Sequence, residues 1–170
     1  MIPSRLDAVL RRIDELNRQD PNTDVVGGVS QPHELAYAQR MTDWVLRLNP
    51  NASEILRIAA RGQHVQRWTL PRSRYPMNRA GYLKWREVLK AFHIETVQQL
   101  MRELKYDEEL CQQVGLIMSK KALGTDPDTQ TLEDALCLVF LETQFDELRR
   151  KTPDEKMRIV VQKTWQKMSP

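Results

Sequence analysis

The sequence predicts an all-α fold: a single compact bundle of about seven helices without a sheet, forming one domain over residues 1–170. Three observations predict it. Apolar residues recur at three- and four-residue spacing in segment after segment, the period of a helix with one buried face. Proline and glycine, which interrupt helices, gather in a few short stretches between those segments. A chain of 170 residues, 41% hydrophobic and 29% charged, is large enough and apolar enough to bury a core without staples.

The first helix is expected from about Ser4 to Arg18, with Ser4 as cap and Leu6, Val9, Leu10, Ile13 and Leu16 as its stripe. Asp20-Pro21-Asn22 ends it, and the stretch to Pro32, with Gly27-Gly28, reads as a loop. A second helix, 33–48, sets His33, Tyr37, Arg40 and Trp44 along one face. Ser53 caps a third, to about Trp68, where Leu70-Pro71 stops it; Glu54, Arg57, Arg61 and His64 share one stripe beside the small Ala59-Ala60 pair. Residues 69–78 form a stiff basic loop held by Pro71 and Pro76.

Further helices are expected at about 79–92, 95–104 and 107–120. After a turn containing Gly124 and Pro127, the segment 132–150 carries the run ALCLVFL and reads as the central, buried helix. A last amphipathic helix is expected at about 154–167. Cys111 and Cys137 fall on apolar faces in no paired spacing, so they read as buried thiols and not as a disulfide or thiolate metal site. No run approaches the length of a bilayer span, and the first turns are charged, so the expected location is cytoplasmic and not a membrane.

Formal net charge is +3, unevenly spread. Residues 54–90 hold nine Lys/Arg against Glu54 and Glu87, a local +7 that leaves the remainder at −4. Arg61, Arg67, Arg72, Arg79 and Arg86 are the candidate ligand-binding residues there, since guanidinium forks suit phosphate oxygens. Two of the three histidines, His33 and His64, sit on separate helices, and Glu133 and Asp134 open a much later one. Converging helices can assemble a two-histidine, one-carboxylate site from such a layout without any local motif. The helix dipole alone also favours acids in a first turn.

The strings HELAYAQRMTDW, IAARGQHVQRW, PRSRYPMNRAGYLKWR, LEDALCLVFLE and KTWQKM, spanning 33–168, resemble a family of uncharacterised bacterial and fungal proteins. That family is classed as a domain of unknown function and is sometimes labelled glutamyl-tRNA synthetase-like. The synthetase label lacks support, because the chain has no Rossmann strand pattern and no glycine-rich phosphate loop. The separations of His33, His64 and Asp134 are also remotely similar to the HD-domain metal-dependent phosphohydrolase superfamily. An HD protein has aspartate directly after its second histidine, and Val65 stands there in this chain.

The HD resemblance implies a bundle of that type and a divalent metal (Mn, Fe, Ni or Zn) held by His33, His64 and Asp134, with Glu54, Gln63 or Glu133 in support. It implies a hydrolase acting on a small phosphorylated ligand or nucleotide, with Glu34 or Glu133 as proton acceptor. The competing expectation is a non-catalytic module that holds a phosphorylated ligand, or less favourably RNA phosphates, on the 54–90 field. For RNA, the aromatics Trp68, Tyr75, Tyr82 and Trp85 are as well placed for packing helices as for stacking bases.

Overall fold

The computed structural model describes residues 4–170. Helix α1, Arg5–Asn17, starts in a capping box in which Ser4 and Asp7 bond each other's backbone N–H. Strands β1, Thr23–Val26, and β2, Val29–Pro32, follow. Then come α2, His33–Leu48; α3, Glu54–Gly62; two 3₁₀ turns, Arg67–Thr69 and Arg72–Arg74; and α4, Arg79–Glu103. The chain ends in α5, Glu108–Ser119; α6, Pro127–Thr143; α7, Phe145–Lys151; and α8, Asp154–Trp165. The fold is mostly all-α, as the periodicity predicts.

The expected loop before α2 is instead an antiparallel hairpin, with Thr23 opposite Pro32 and Val26 opposite Val29. Gly27 and Gly28 both have positive φ, +58° and +81°, the two-residue turn whose twist matches paired strands. The hairpin is not decoration: Asp24 on β1 binds His33 and Arg40 of α2.

The helices expected at 79–92 and 95–104 are one. The stripe Trp85, Leu89, His93, Val97 and Leu100 is buried without a break, so the heptad-like register runs straight through His93. The helix expected over 132–150 is two, beginning earlier at Pro127 behind an Asp126 cap and breaking at Gln144. Nor is its ALCLVFL run buried all round, since Leu141 is exposed. The central element is α3: Ile55, Leu56, Ile58, Ala59 and Ala60 are all buried, and α3 packs on α1, α2, α4, α5 and α6. Its small Ala59-Ala60 pair is what lets so many helices approach. One continuous cluster of buried residues, from Val9 to Val139, forms the core. Both cysteines are buried and free.

α3 ends at Gly62, six residues short of expectation, and the turn that replaces its last part positions the site. Gln66 takes the left-handed conformation, φ +53°, and its N–H donates to Oδ1 of the buried Asn17 at 3.0 Å. A non-glycine residue held there costs on the order of 1 kcal/mol, offset by that bond.

Candidate functional site: a basic cavity around His64

The reversal at Gln66 puts His64 and Arg67 side by side, with Arg67 Nη1 3.1 Å from His64 Nε2. Guanidinium only donates, so Nε2 is the acceptor and the imidazole proton sits on Nδ1. Nδ1 faces Glu34 Oε2 at 3.6 Å, across a gap too long for a hydrogen bond. Tyr37, one turn after Glu34 on α2, stacks flat on the His64 ring, with centroids 4.0 Å apart and planes 8° from parallel. His64 is thus fixed on three sides, by Arg67, Tyr37 and Glu34.

Burial dominates the electrostatics here. It pushes the Glu34 carboxyl up to about 7 despite the nearby His33 and Arg67. It holds His64 well below the ordinary imidazole range, and the Arg67 charge acts in the same direction. His93 is brought down to about 4, also by burial, although the Val65 carbonyl opposes the shift. Near neutral pH the titrating member of the cluster is therefore the carboxyl group and not an imidazole.

Beside these groups lies a cavity of about 320 Å³, lined by Gln63, His64, Arg67, Arg86, His93 and Lys120 among others. Five cations, Arg67, Arg86, Lys90, Lys120 and Lys167, border it against one carboxylate, Glu133. Glu133 is buried and bridges Lys120 at 2.8 Å and Lys167 at 3.6 Å, so it anchors two of the cations. Arg67 and Lys120 are themselves lowered by burial, the mark of cations held partly out of water. Two adjoining cavities share His64 and Arg86; one reaches His33, Glu34 and α7, the other Cys137 and α8.

The residues singled out from sequence separate into two groups. Arg67, Arg86, His64, Glu34 and Glu133 come together at these cavities, with His33 at the rim of one. Arg61 does not: it pairs with Asp14 at 3.2 Å in a half-buried bridge between α3 and α1. Arg72 donates to the carbonyls of Tyr75, Pro76 and Asn78, stapling the proline loop. Arg79 is exposed at the first residue of α4. Glu54 accepts from the Tyr106 hydroxyl.

Nor do His33, His64 and Asp134 form one donor set. His33 Nδ1 is taken by Asp24 at 2.9 Å, and Asp134 accepts from Ser169 Oγ at 2.6 Å, Ser169 N–H at 2.9 Å and Gln130 at 2.8 Å. Among the described residues no group of three or more His, Cys, Asp or Glu is arranged to hold a metal ion. As placed, these donors do not fit the facial triad that the HD resemblance implies.

Lys120, Lys167 and Tyr37 are site residues that sequence reasoning did not assign. Lys120 sits just past α5 in a left-handed cap, φ +59°, which no periodicity marks. Lys167 had a signal, since it lies within the string KTWQKM that carries the family resemblance. Among the described residues no helix is long and apolar enough to cross a membrane.

Against protein families, the model described as Domain of unknown function (DUF4202) matches residues 7–170. Comparisons with curated proteins and with solved structures returned no match.

Proposed function

Since the chain belongs to the DUF4202 family, whose description assigns no chemistry, we propose from its geometry that it binds a small phosphorylated molecule in the cavity beside His64. One observation carries this reading: five cations drawn from α4 and from the turns after α3, α5 and α8 border one small cavity that contains a single, already bridged carboxylate. Such a cluster repels itself until an anion fills it, and phosphate supplies both the charge and the acceptor oxygens. The volume suits a small ligand and not a polymer. RNA is disfavoured because Trp85 is committed to packing, its Nε1 donating to the Leu70 carbonyl with Arg67 over its ring.

Calorimetric titration with inorganic phosphate tests the reading. Saturable one-site binding that weakens with salt and drops about tenfold in Arg86→Ala is expected, tenfold being ~1.4 kcal/mol. Heat without saturation, or equal binding by the variant, overturns it.

A second reading, hydrolysis of the bound phosphate ester, rests on Glu34 alone. A carboxyl group poised near 7 beside a fixed neutral imidazole is suited to accept the proton of an attacking water while the cations neutralise the phosphoryl oxygens. Release of inorganic phosphate from a sugar phosphate, with and without added Mn or Zn, decides it. Turnover that rises with pH through about 7 and is lost in Glu34→Gln is the expected result. No turnover in any of these conditions leaves the protein a binding module.

A further inference from the structure

The cavity contains something that phosphate does not need. His93 is 4% exposed, and its Nδ1 lies 2.9 Å from the Val65 carbonyl. A carbonyl only accepts, so Nδ1 carries the proton and Nε2 is a bare lone pair. That Nε2 is buried and has no hydrogen-bond partner. Gln63 Oε1, on the turn after α3, is likewise a buried acceptor without a partner. Both residues line the same cavity as Arg67, Arg86 and Lys120.

An unpaired buried acceptor costs on the order of 1–3 kcal/mol, so two of them beside one cavity call for an occupant with donors. The phosphoryl dianion of a monoester has no O–H to give, and its oxygens would be repelled by both lone pairs. We propose that the ligand is a phosphate monoester carrying hydroxyl groups, a sugar or polyol phosphate, whose hydroxyls donate to His93 Nε2 and Gln63 Oε1 while its phosphate meets the cations. The low pKa of His93, about 4, keeps that nitrogen an acceptor throughout the neutral range. A nitrogen that protonated near neutrality would become a donor and lose this selectivity. The division of labour is general: cations supply affinity, and buried acceptors reject analogues that lack the matching donor.

This inference rests on the phosphate reading, and the experiment separates the two. Wild-type protein is titrated with inorganic phosphate, ethyl phosphate, glycerol 3-phosphate and glucose 6-phosphate, and the series is repeated with Gln63→Met and His93→Leu after circular dichroism confirms the fold. Gln63 is only half-buried, so its variant keeps the test alive if His93→Leu does not fold. Expected is at least tenfold tighter binding of a hydroxylated ester than of ethyl phosphate, with that advantage lost in either variant because the hydroxylated ester weakens more than ethyl phosphate does. A hydroxylated ester also moves the His93 Nε2 nitrogen resonance away from its unprotonated, unbonded position. If all four probes bind alike, or the variants weaken all four equally, the hydroxyl inference fails and the phosphate reading stands. If none binds wild type, the phosphate reading fails and takes the inference with it.

Discussion

At Glu34, burial competes with the nearby His33 and Arg67, and burial wins, so the folded carboxyl keeps its proton to about pH 7 against 4.5 ordinarily. The consequence for stability has a definite sign. Below pH 4.5 the group is protonated in both states; between 4.5 and 7 only the folded state holds the proton, so stability falls as pH rises through that window. The full cost above it is about 3 kcal/mol. His64 and His93 act oppositely: folded they stay neutral, unfolded they protonate below 6.5, so they withdraw stability as pH falls. Glu34→Gln is therefore expected to match wild type near pH 4 and exceed it by up to ~3 kcal/mol at pH 8 in urea denaturation. A variant that weakens relative to wild type as pH rises would instead make Glu34 a stabilising ion-pair partner. The sequence sets His33 on the inward face of α2 with Tyr37 by helical spacing, yet His33 stands partly exposed at a cavity rim and the adjacent Glu34 is the buried residue; His64, read as part of a buried polar cluster, does lie within one. The sequence does not reveal that Asp134 belongs to Ser169: spacing tells which face a residue occupies, whereas the partner comes from a segment 35 positions away.

The proline loop and α4 are joined by a contact that helix propensity alone misjudges. Asn78 Oδ1 caps the Gly81 N–H at 2.8 Å, and a Cβ at 81 would lie 2.1 Å from the Pro76 carbonyl oxygen. Alanine normally improves a helix by about 1 kcal/mol over glycine, while forcing an atom into packed backbone costs ~1–3 kcal/mol. The Pro76 carbonyl cannot simply step aside, because Arg72 Nη2 donates to it at 2.6 Å. Gly81→Ala is expected to lower the melting temperature by roughly 3–6 °C; a rise would mean that the loop yields freely. Element identity was largely legible from the sequence, because the periods of α1, α2, α5 and α8 and the caps Ser4 and Ser53 are local signals. The hairpin was missed because two four-residue strands carry no alternation strong enough to outweigh their loop-forming residues. The break at Gln144 has no Gly or Pro to announce it.

For the molecule as a whole, the basic 54–90 segment supplies only part of the cavity's charge. Arg61 and Arg72 are spent on structure, while Lys120 and Lys167 arrive from outside that segment. The field is assembled by the tertiary fold, so linear charge counting located the region but not the members. Lys167 stands at the end of the least embedded part of the structure: α8 buries only Met157, and α7 buries nothing. The segment is fastened where Ser169 meets Asp134 and where Cys137 Sγ approaches the Thr164 carbonyl at 3.8 Å. Those two thiols, Cys137 beneath α8 and Cys111 deep in the core, amount to a built-in pair of clocks. Burial pushes the Cys137 thiol up to about 11, so an electrophilic probe waits for a transient opening before it finds thiolate. Cys137 should label well before Cys111 in native buffer, faster still in Asp134→Ala, and more slowly when a bound anion engages Lys167. Equal labelling of both thiols would mean that the chain's last helices come away only when everything does.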